Sequence, residues 1–225
     1  MGTIFTQGLV NPRGHELLAY DDIRSTAQPT AYISAVSRPT LVLGSTQREE
    51  HVIARDNECD IRRRRGGGGV VLLRPGDAWV DFWIPASDSR HDLDARRAAM
   101  RIGAWWLDVL QRLSNAPFTI HSTIGPESAL ERAACFGAVG FGEITVAKRK
   151  LMGLTQWRVR EGNFVSTLVP VRDSLELLTA LVDPPLGWNT ALAHPSLSSL
   201  NLSRDDLTVQ LLDDSGPWAV QHTSV

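Results

Sequence analysis

Apolar positions along this chain change period several times, and each change marks an element. Leu17, Leu18, Tyr20 and Ile23 give residues 15–27 one apolar helical face. Residues 30–37 (TAYISAVS) and 39–44 (PTLVLG) are short β-branched and apolar runs bounded by proline and glycine, which predicts strands. Residues 70–73 (VVLL) and 78–84 (AWVDFWI), separated by Arg74, Pro75, Gly76 and Asp77, predict a hairpin. Within its second run Trp79, Asp81 and Trp83 share a face, a place for core tryptophans or for the wall of an acyl-chain tunnel.

The longest helical pattern covers 91–113. Leu93, Ala98, Ile102, Trp105, Trp106, Val109, Leu110 and Leu113 are apolar there, with Arg96, Arg97, Arg101, Asp108 and Arg112 elsewhere on the turn. Strands are predicted at 118–124, 141–146, 150–158, 163–171 and 206–212. Short helices are predicted at 127–134, 175–181 (ended by Asp183, Pro184 and Pro185) and 196–200. Hairpins mixed irregularly with helices, rather than strict strand-helix-strand alternation, predict an α+β fold with a mixed, largely antiparallel sheet flanked by helices. No repeat or long linker divides residues 1–225, so one domain is expected.

The composition narrows the partners. With 23 Lys and Arg against 25 Asp and Glu, the formal net charge is −2, which argues against a general nucleic-acid or membrane-surface binder. No apolar run approaches the roughly 18 residues of a spanning helix and no signal-type segment opens the chain, so a cytoplasmic, soluble protein is expected. The six histidines form no HxH or HxxxH pair, Cys59 and Cys135 have no metal-type spacing, and no metal site is expected. Ser122 lies in no GxSxG elbow.

One local anomaly survives the averages: four arginines followed by four glycines, Arg62 to Gly69. Glycines let a backbone approach a ligand and offer it N–H groups, while arginine side chains add planar, permanently charged donors. The run is neither a P-loop nor a GxGxxG motif, and a solvated basic loop is the plain alternative.

Three ordered stretches resemble one family. Residues 63–77 (RRRGGGGVVLLRPGD) resemble a signature of two arginines, two variable residues, three glycines, a strand and a Gly-Asn turn, here Gly76-Asp77. Residues 39–47 (PTLVLGSTQ) resemble its strand ending in Gly with a Gln three positions on. Residues 143–156 (EITVAKRKLMGLTQ) resemble its strand, tight turn, Arg-Lys, Gly and Gln. The family is that of the lipoate-protein ligases and octanoyltransferases, within the biotin/lipoate ligase superfamily.

The resemblance implies a biotin/lipoate-ligase-like catalytic domain that attaches a lipoyl or octanoyl group to a lysine of a lipoyl-domain or glycine-cleavage-H-type acceptor. It implies ligand contacts for Arg63, Arg64, Gly67, Gly68, Gly69, Gly153 and Gln156, and a catalytic role for Lys150, whose ammonium would stabilise the charge developing on an acyl carbonyl. A ligase would use lipoate or octanoate with ATP and Mg. The Cys135-Phe136 pair, fifteen residues before Lys150, resembles instead the octanoyltransferase branch that takes octanoate from an acyl carrier protein through a cysteine thioester. A small buried thiol is the alternative for Cys135, and Cys59 matches nothing.

The glycine triplet resembles the ligases. Leu73 and the Arg160-Glu161-Gly162 stretch depart from both branches, which commonly carry histidines there, and leave open a non-catalytic binder of an acyl-adenylate or related cofactor. The span after Lys150 is too short for the C-terminal accessory domain of many ligases, so a separate partner polypeptide or a preactivated donor is expected. The acyl donor, the acceptor and the oligomeric state are open at this level.

Overall fold

Trp79 and Trp83 point to one side of their strand while Ala78, Val80, Phe82 and Ile84 point to the other, and both sides are buried. That two-sided burial organises the computed structural model, which describes residues 16–53, 59–123, 133–173, 178, 182, 194–213 and 219–224. The described strands are β1 (Thr30–Ala35), β2 (Thr40–Leu43), β3 (Asp60–Arg63), β4 (Val71–Leu73), β5 (Ala78–Pro85), β6 (Phe118–Ile120), β7 (Ile144–Val146), β8 (Arg149–Val159), β9 (Gly162–Val169) and β10 (Ala219–Ser224). The helices are α1 (Tyr20–Arg24), α2 (Ala95–Leu113) and α3 (Arg204–Asp213).

A seven-stranded sheet runs β10-β1-β5-β9-β8-β7-β6, and a three-stranded sheet runs β3-β2-β4. Neighbours are antiparallel except for the parallel pairs β1 with β10 and β2 with β3. The α+β expectation therefore holds. Ile102, Trp106, Val109 and Leu110 of α2 and Leu207 and Leu211 of α3 pack on one face of the large sheet, against Val80 and Phe82. On its other face Trp79, Trp83, Phe164 and Leu168 meet Val42, Val71 and Leu73 of the small sheet and Leu17, Tyr20 and Ile23 around α1. The far side of the small sheet has its own cluster, with Leu41, Leu43, Val70, Leu72 and Ala134.

Helix α2 starts where Asp94 accepts hydrogen bonds from the N–H groups of Arg96 (2.7 Å) and Arg97 (3.1 Å), an N-cap that satisfies two otherwise unpaired donors. Its 19 residues carry the amphipathic pattern seen in the sequence.

Several expectations change. The runs 70–73 and 78–84 do not form a hairpin: β4 pairs with β2 and β5 with β1 and β9. The turn between them carries the chain from one sheet to the other. Asp77 closes it, accepting from the N–H groups of Arg74 and Val171 (both 2.7 Å), and burial pushes its carboxyl up to about 6. Residues 206–212 are not a strand but part of α3. Their alternation of Leu207, Val209 and Leu211 also fits a helix that buries Leu207 and Leu211, four apart, and leaves Val209 exposed.

Helix α1 is shorter than 15–27, because the Leu17 N–H bonds to the Arg63 carbonyl instead of continuing a helix. Strand pairing from 118 stops at Ile120, and 198–200 form a single 3-10 turn. The helices expected at 127–134 and 175–181 fall almost wholly outside the described residues.

Candidate active site

The arginine run enters the structure as the end of β3, and each described side chain has a separate destination. Arg63 donates to the carbonyls of Gly44 (2.9 Å) and Gln47 (2.6 Å) and stands 3.4 Å from Glu49. Arg65 grips Glu16 with two bonds (2.7 and 3.1 Å), reaches Asp21 (3.2 Å) and lies over the rings of Tyr20 and Trp157. Arg64 turns inward and is 4% exposed. Its guanidinium donates to the carbonyls of Val42 (3.2 Å), Gly67 (3.2 and 2.9 Å) and Gly69 (2.6 Å), and burial pulls its pKa down.

The glycines pass between this arginine and the segment that follows Ala133. Gly68 has φ of +92°, a left-handed conformation that side chains other than glycine rarely adopt. A Cβ on Gly69 would stand 2.5 Å from the Ala134 backbone, so only glycine fits there. This close approach lets the Val70 N–H bond to the Ala133 carbonyl and the Cys135 N–H to the Val70 carbonyl, both at 2.9 Å. Gln47 ties the same place down, donating to the Ala133 carbonyl while accepting from the Gly44 N–H, each at 2.9 Å.

Lys150 arrives from the opposite side. A tight turn with Ala147 (φ 49°) and Lys148 (φ 65°) folds β7 back on β8, and Lys150 points inward opposite Thr145. Its ammonium meets Glu143 Oε1 at 2.7 Å and donates to the carbonyls of Cys135 and Ala138. The other bonds of Glu143 are to the N–H groups of Gly140 (2.7 Å) and Leu154 (2.8 Å), so the carboxylate fastens the Cys135–Gly142 stretch to β8. Burial alone would pull Lys150 down; Glu143, with a smaller contribution from Cys135, outweighs it and holds the ammonium above its ordinary value.

Cys135 Sγ faces this lysine across Gly153. The point a Cβ on Gly153 would occupy is 3.2 Å from Lys150 Cε, 3.4 Å from Cys135 Sγ and 3.4 Å from the Phe136 ring. Phe136 also stacks on His194, with ring centres 4.6 Å apart.

These groups border a cavity of about 390 Å³ whose wall includes Thr46, Gln47, Gly67, Gly68, Gly69, Cys135, Glu143, Lys150 and Thr155. Behind Cys135 a narrow apolar slot of about 30 Å³ continues past Gly153, Arg64, Val71, Leu73, Trp79 and Leu168. Seven of the nine site residues expected from the sequence therefore gather in one place: Cys135, Lys150, Gly67, Gly68 and Gly69 on the cavity, Arg64 and Gly153 on the slot. Two do not. Arg63 is engaged on the far side of the Gly44 turn, and Gln156 donates to the Ala95 carbonyl (2.7 Å) while accepting from Arg158 and Asn163.

The sequence motifs assign no role to Glu143 or Thr155. A usable signal for the first was a carboxylate beside the apolar Ile144 in a short strand that turns straight back to a lysine. Thr155 carried none.

Residues 15–188 match the family model described as the lipoyl protein ligase A/B catalytic domain. The chain belongs to that family. Among solved structures, a Thermoplasma acidophilum protein assigned as a lipoate protein ligase, with bound lipoic acid, shares the fold of this lipoyl protein ligase A/B domain with a TM-score of 0.67. It is 18% identical, over 92% of this chain and 83% of that one. The bipartite lipoate protein ligase of the same organism, described with its E2 lipoyl domain, gives 0.65 at 16% identity over 92% and 80%. A lipoate-protein ligase A bound with ATP gives 0.63 at 16% over 99% and 90%. No curated protein matches the chain.

Proposed function

We propose that this protein transfers a lipoyl or octanoyl group to a lysine of a lipoyl-domain-type acceptor, passing it through a thioester on Cys135. The observation that carries the reading is Cys135 Sγ beside Lys150 at the junction of the polar cavity and the apolar slot. In the first step the Cys135 thiolate attacks the carbonyl carbon of a carrier thioester; a C–S bond to Cys135 forms and the carrier thiol leaves with its electron pair, taking up a proton. In the second, the uncharged amine of the acceptor lysine attacks. A C–N bond forms, the bond to Cys135 breaks, and the amine proton passes to the departing thiolate or to water.

Lys150 places a positive charge next to the sulfur. The Glu143 carboxylate balances that charge, an arrangement suited to a neutral thioester donor rather than to a polyanionic one. The structure with an E2 lipoyl domain supports an acceptor of that kind.

A second reading, ATP-dependent activation of free lipoate, is favoured by the glycine loop lining the cavity and by the lipoic acid and ATP bound to similar structures. Mass spectrometry of a lipoyl domain incubated with the protein separates the two. Modification from octanoyl-carrier protein, with an acyl-enzyme adduct that disappears in Cys135→Ser, is the expected result. Modification only from ATP plus lipoate, unchanged in Cys135→Ser, selects the second reading. No modification from either donor overturns both and leaves a binder without turnover.

A further inference from the structure

The ammonium of Lys150 has three donors, and Glu143, Cys135 O and Ala138 O take one each. An oxyanion forming on an acyl carbonyl at Cys135 needs hydrogen-bond donors from another quarter. Facing the same cavity are Gly67, Gly68 and Gly69, and among the described residues none accepts a hydrogen bond from their N–H groups.

A planar trans peptide points its C=O and N–H in opposite directions. The Gly67 carbonyl is turned toward Arg64, which donates to it through Nε (3.2 Å) and Nη2 (2.9 Å), and Thr155 Oγ1 adds a third bond at 2.9 Å. The N–H of the same peptide, belonging to Gly68, therefore points away from the guanidinium, and Gly68 is exposed and lines the cavity. Arg64 also holds the Gly69 carbonyl at 2.6 Å, fixing the loop on both sides of Gly68. Among the described residues no carboxylate comes within 4.0 Å of Arg64, so this buried cation acts on the peptides it holds.

We propose that Arg64 is a positioning residue: from behind the glycine loop it aims and polarises the Gly67–Gly68 peptide so that the Gly68 N–H receives the oxygen of the reacting acyl carbonyl. The guanidinium acts through the carbonyls it holds rather than on the acyl carbonyl itself. Its charge reaches the cavity through the peptide dipole, because donors on a carbonyl strengthen the N–H of the same unit. A lysine cannot replace it, since only the planar fork reaches three carbonyls at once. Thr155 Oγ1 donates to the same carbonyl. The assignment rests on the reading that the acyl carbonyl reacts at Cys135.

The test uses the full-length protein with octanoyl-carrier protein as donor. Arg64→Lys lowers kcat by about 100-fold with KM changed less than about threefold, the signature of an interaction made only in the transition state. Thr155→Val removes one bond to the Gly67 carbonyl from a half-buried position, and lowers kcat about fivefold with the melting temperature kept. A second readout is independent of turnover. Octanal adds the Cys135 sulfur to its carbonyl carbon, with the thiol proton going to oxygen, and the hemithioacetal shifts the Gly68 amide proton downfield, less so in Thr155→Val.

Unchanged kcat in both variants overturns the assignment. So does a Gly68 amide that stays still while the hemithioacetal carbon resonance appears. If the wild type neither turns over nor forms the adduct, the thioester reading itself is overturned, and this assignment with it.

Discussion

Glu143 Oε1 and Lys150 Nζ meet at 2.7 Å in a pair whose side chains are 5% and 4% exposed. Every other bond of the two groups goes to the backbone around Cys135 or to β8, so the pair sets the geometry of the site as well as its charge.

Removing one partner of such a pair leaves a buried charge uncompensated, and Glu143→Ala is expected to cost about 3–5 kcal/mol in urea unfolding. Glu143→Gln keeps most of the shape. Because Glu143 is what lifts Lys150 against the effect of burial, the variant lowers the lysine pKa, and activity is lost at a lower alkaline pH than in the wild type. A raised lysine contributes stability that is complete below its ordinary value of 10.5 and disappears only as pH rises through the folded value. The glutamine variant therefore unfolds at lower pH in alkaline titration; coincident alkaline limbs would contradict this.

Gly153→Ala inserts a methyl group 3.2 Å from Lys150 Cε and 3.4 Å from Cys135 Sγ. The neighbours must give way by a few tenths of an ångström, which costs about 1 kcal/mol. The alanine variant folds, but iodoacetamide alkylates Cys135 more slowly than in the wild type. Equal rates would mean that the sulfur does not face Gly153.

Asp81 is fully buried, and burial raises its carboxyl to about 7 although Ser166 and the Trp79 Nε1–H (2.8 Å) oppose the shift. Among the described residues its Oδ2 has no partner. Tyr20 and Tyr32 are the titratable groups that feel it most closely. Since the folded protein holds this proton more tightly than the unfolded chain, stability falls as pH rises from about 4 to about 7. Asp77, raised to about 6, works in the same direction. Asp81→Asn keeps the volume and removes the titration, so its melting temperature declines less between about pH 4 and 7, the window set by those shifts. Parallel wild-type and variant curves would refute the assignment.

At the start of α3, Ser203 and Asp206 exchange bonds: the Ser203 N–H donates to Asp206 Oδ2 at 2.7 Å, and the Asp206 N–H donates to Ser203 Oγ at 3.1 Å. Ser203→Ala should cost about 1 kcal/mol of stability. The Ser203 hydroxyl, donating to Asp206 Oδ2 at 2.7 Å, and then the Ser203 N–H hold the Asp206 carboxyl below its ordinary 3.8, so its share of the stabilisation is present above that value and fades as pH falls below it. Thermal unfolding at pH 7 and pH 3 measures both effects.

This capping box was readable in Ser203-Arg204-Asp205-Asp206, yet the alternation of Leu207, Val209 and Leu211 suggested a strand. A short run with apolar residues at both i+2 and i+4 satisfies either period, and packing against α2 selects the helix. The hairpin expected across Asp77 failed for a related reason. Both β4 and β5 are apolar on two faces, and local pattern does not say which strand each one pairs with.

The chain's own pattern was enough for the α+β class, for α2 and its apolar face and for Trp79 and Trp83 on one side of their strand; the family resemblance, not the pattern, pointed to Cys135, Lys150 and the glycines. Periodicity and residue chemistry are local, so they survive without coordinates. The destinations of the arginines were not local. Arg63, Arg64 and Arg65 are consecutive and chemically identical, but a strand end sends them to different surroundings: backbone carbonyls at the Gly44 turn, carbonyls behind the glycine loop, and the Glu16–Asp21 surface. Likewise nothing in a linear text pairs Glu143 with Lys150 or sets Thr155 on the Gly67 carbonyl. A hydrogen bond requires a few ångströms and an angle, and only the packing of one sheet against another supplies those.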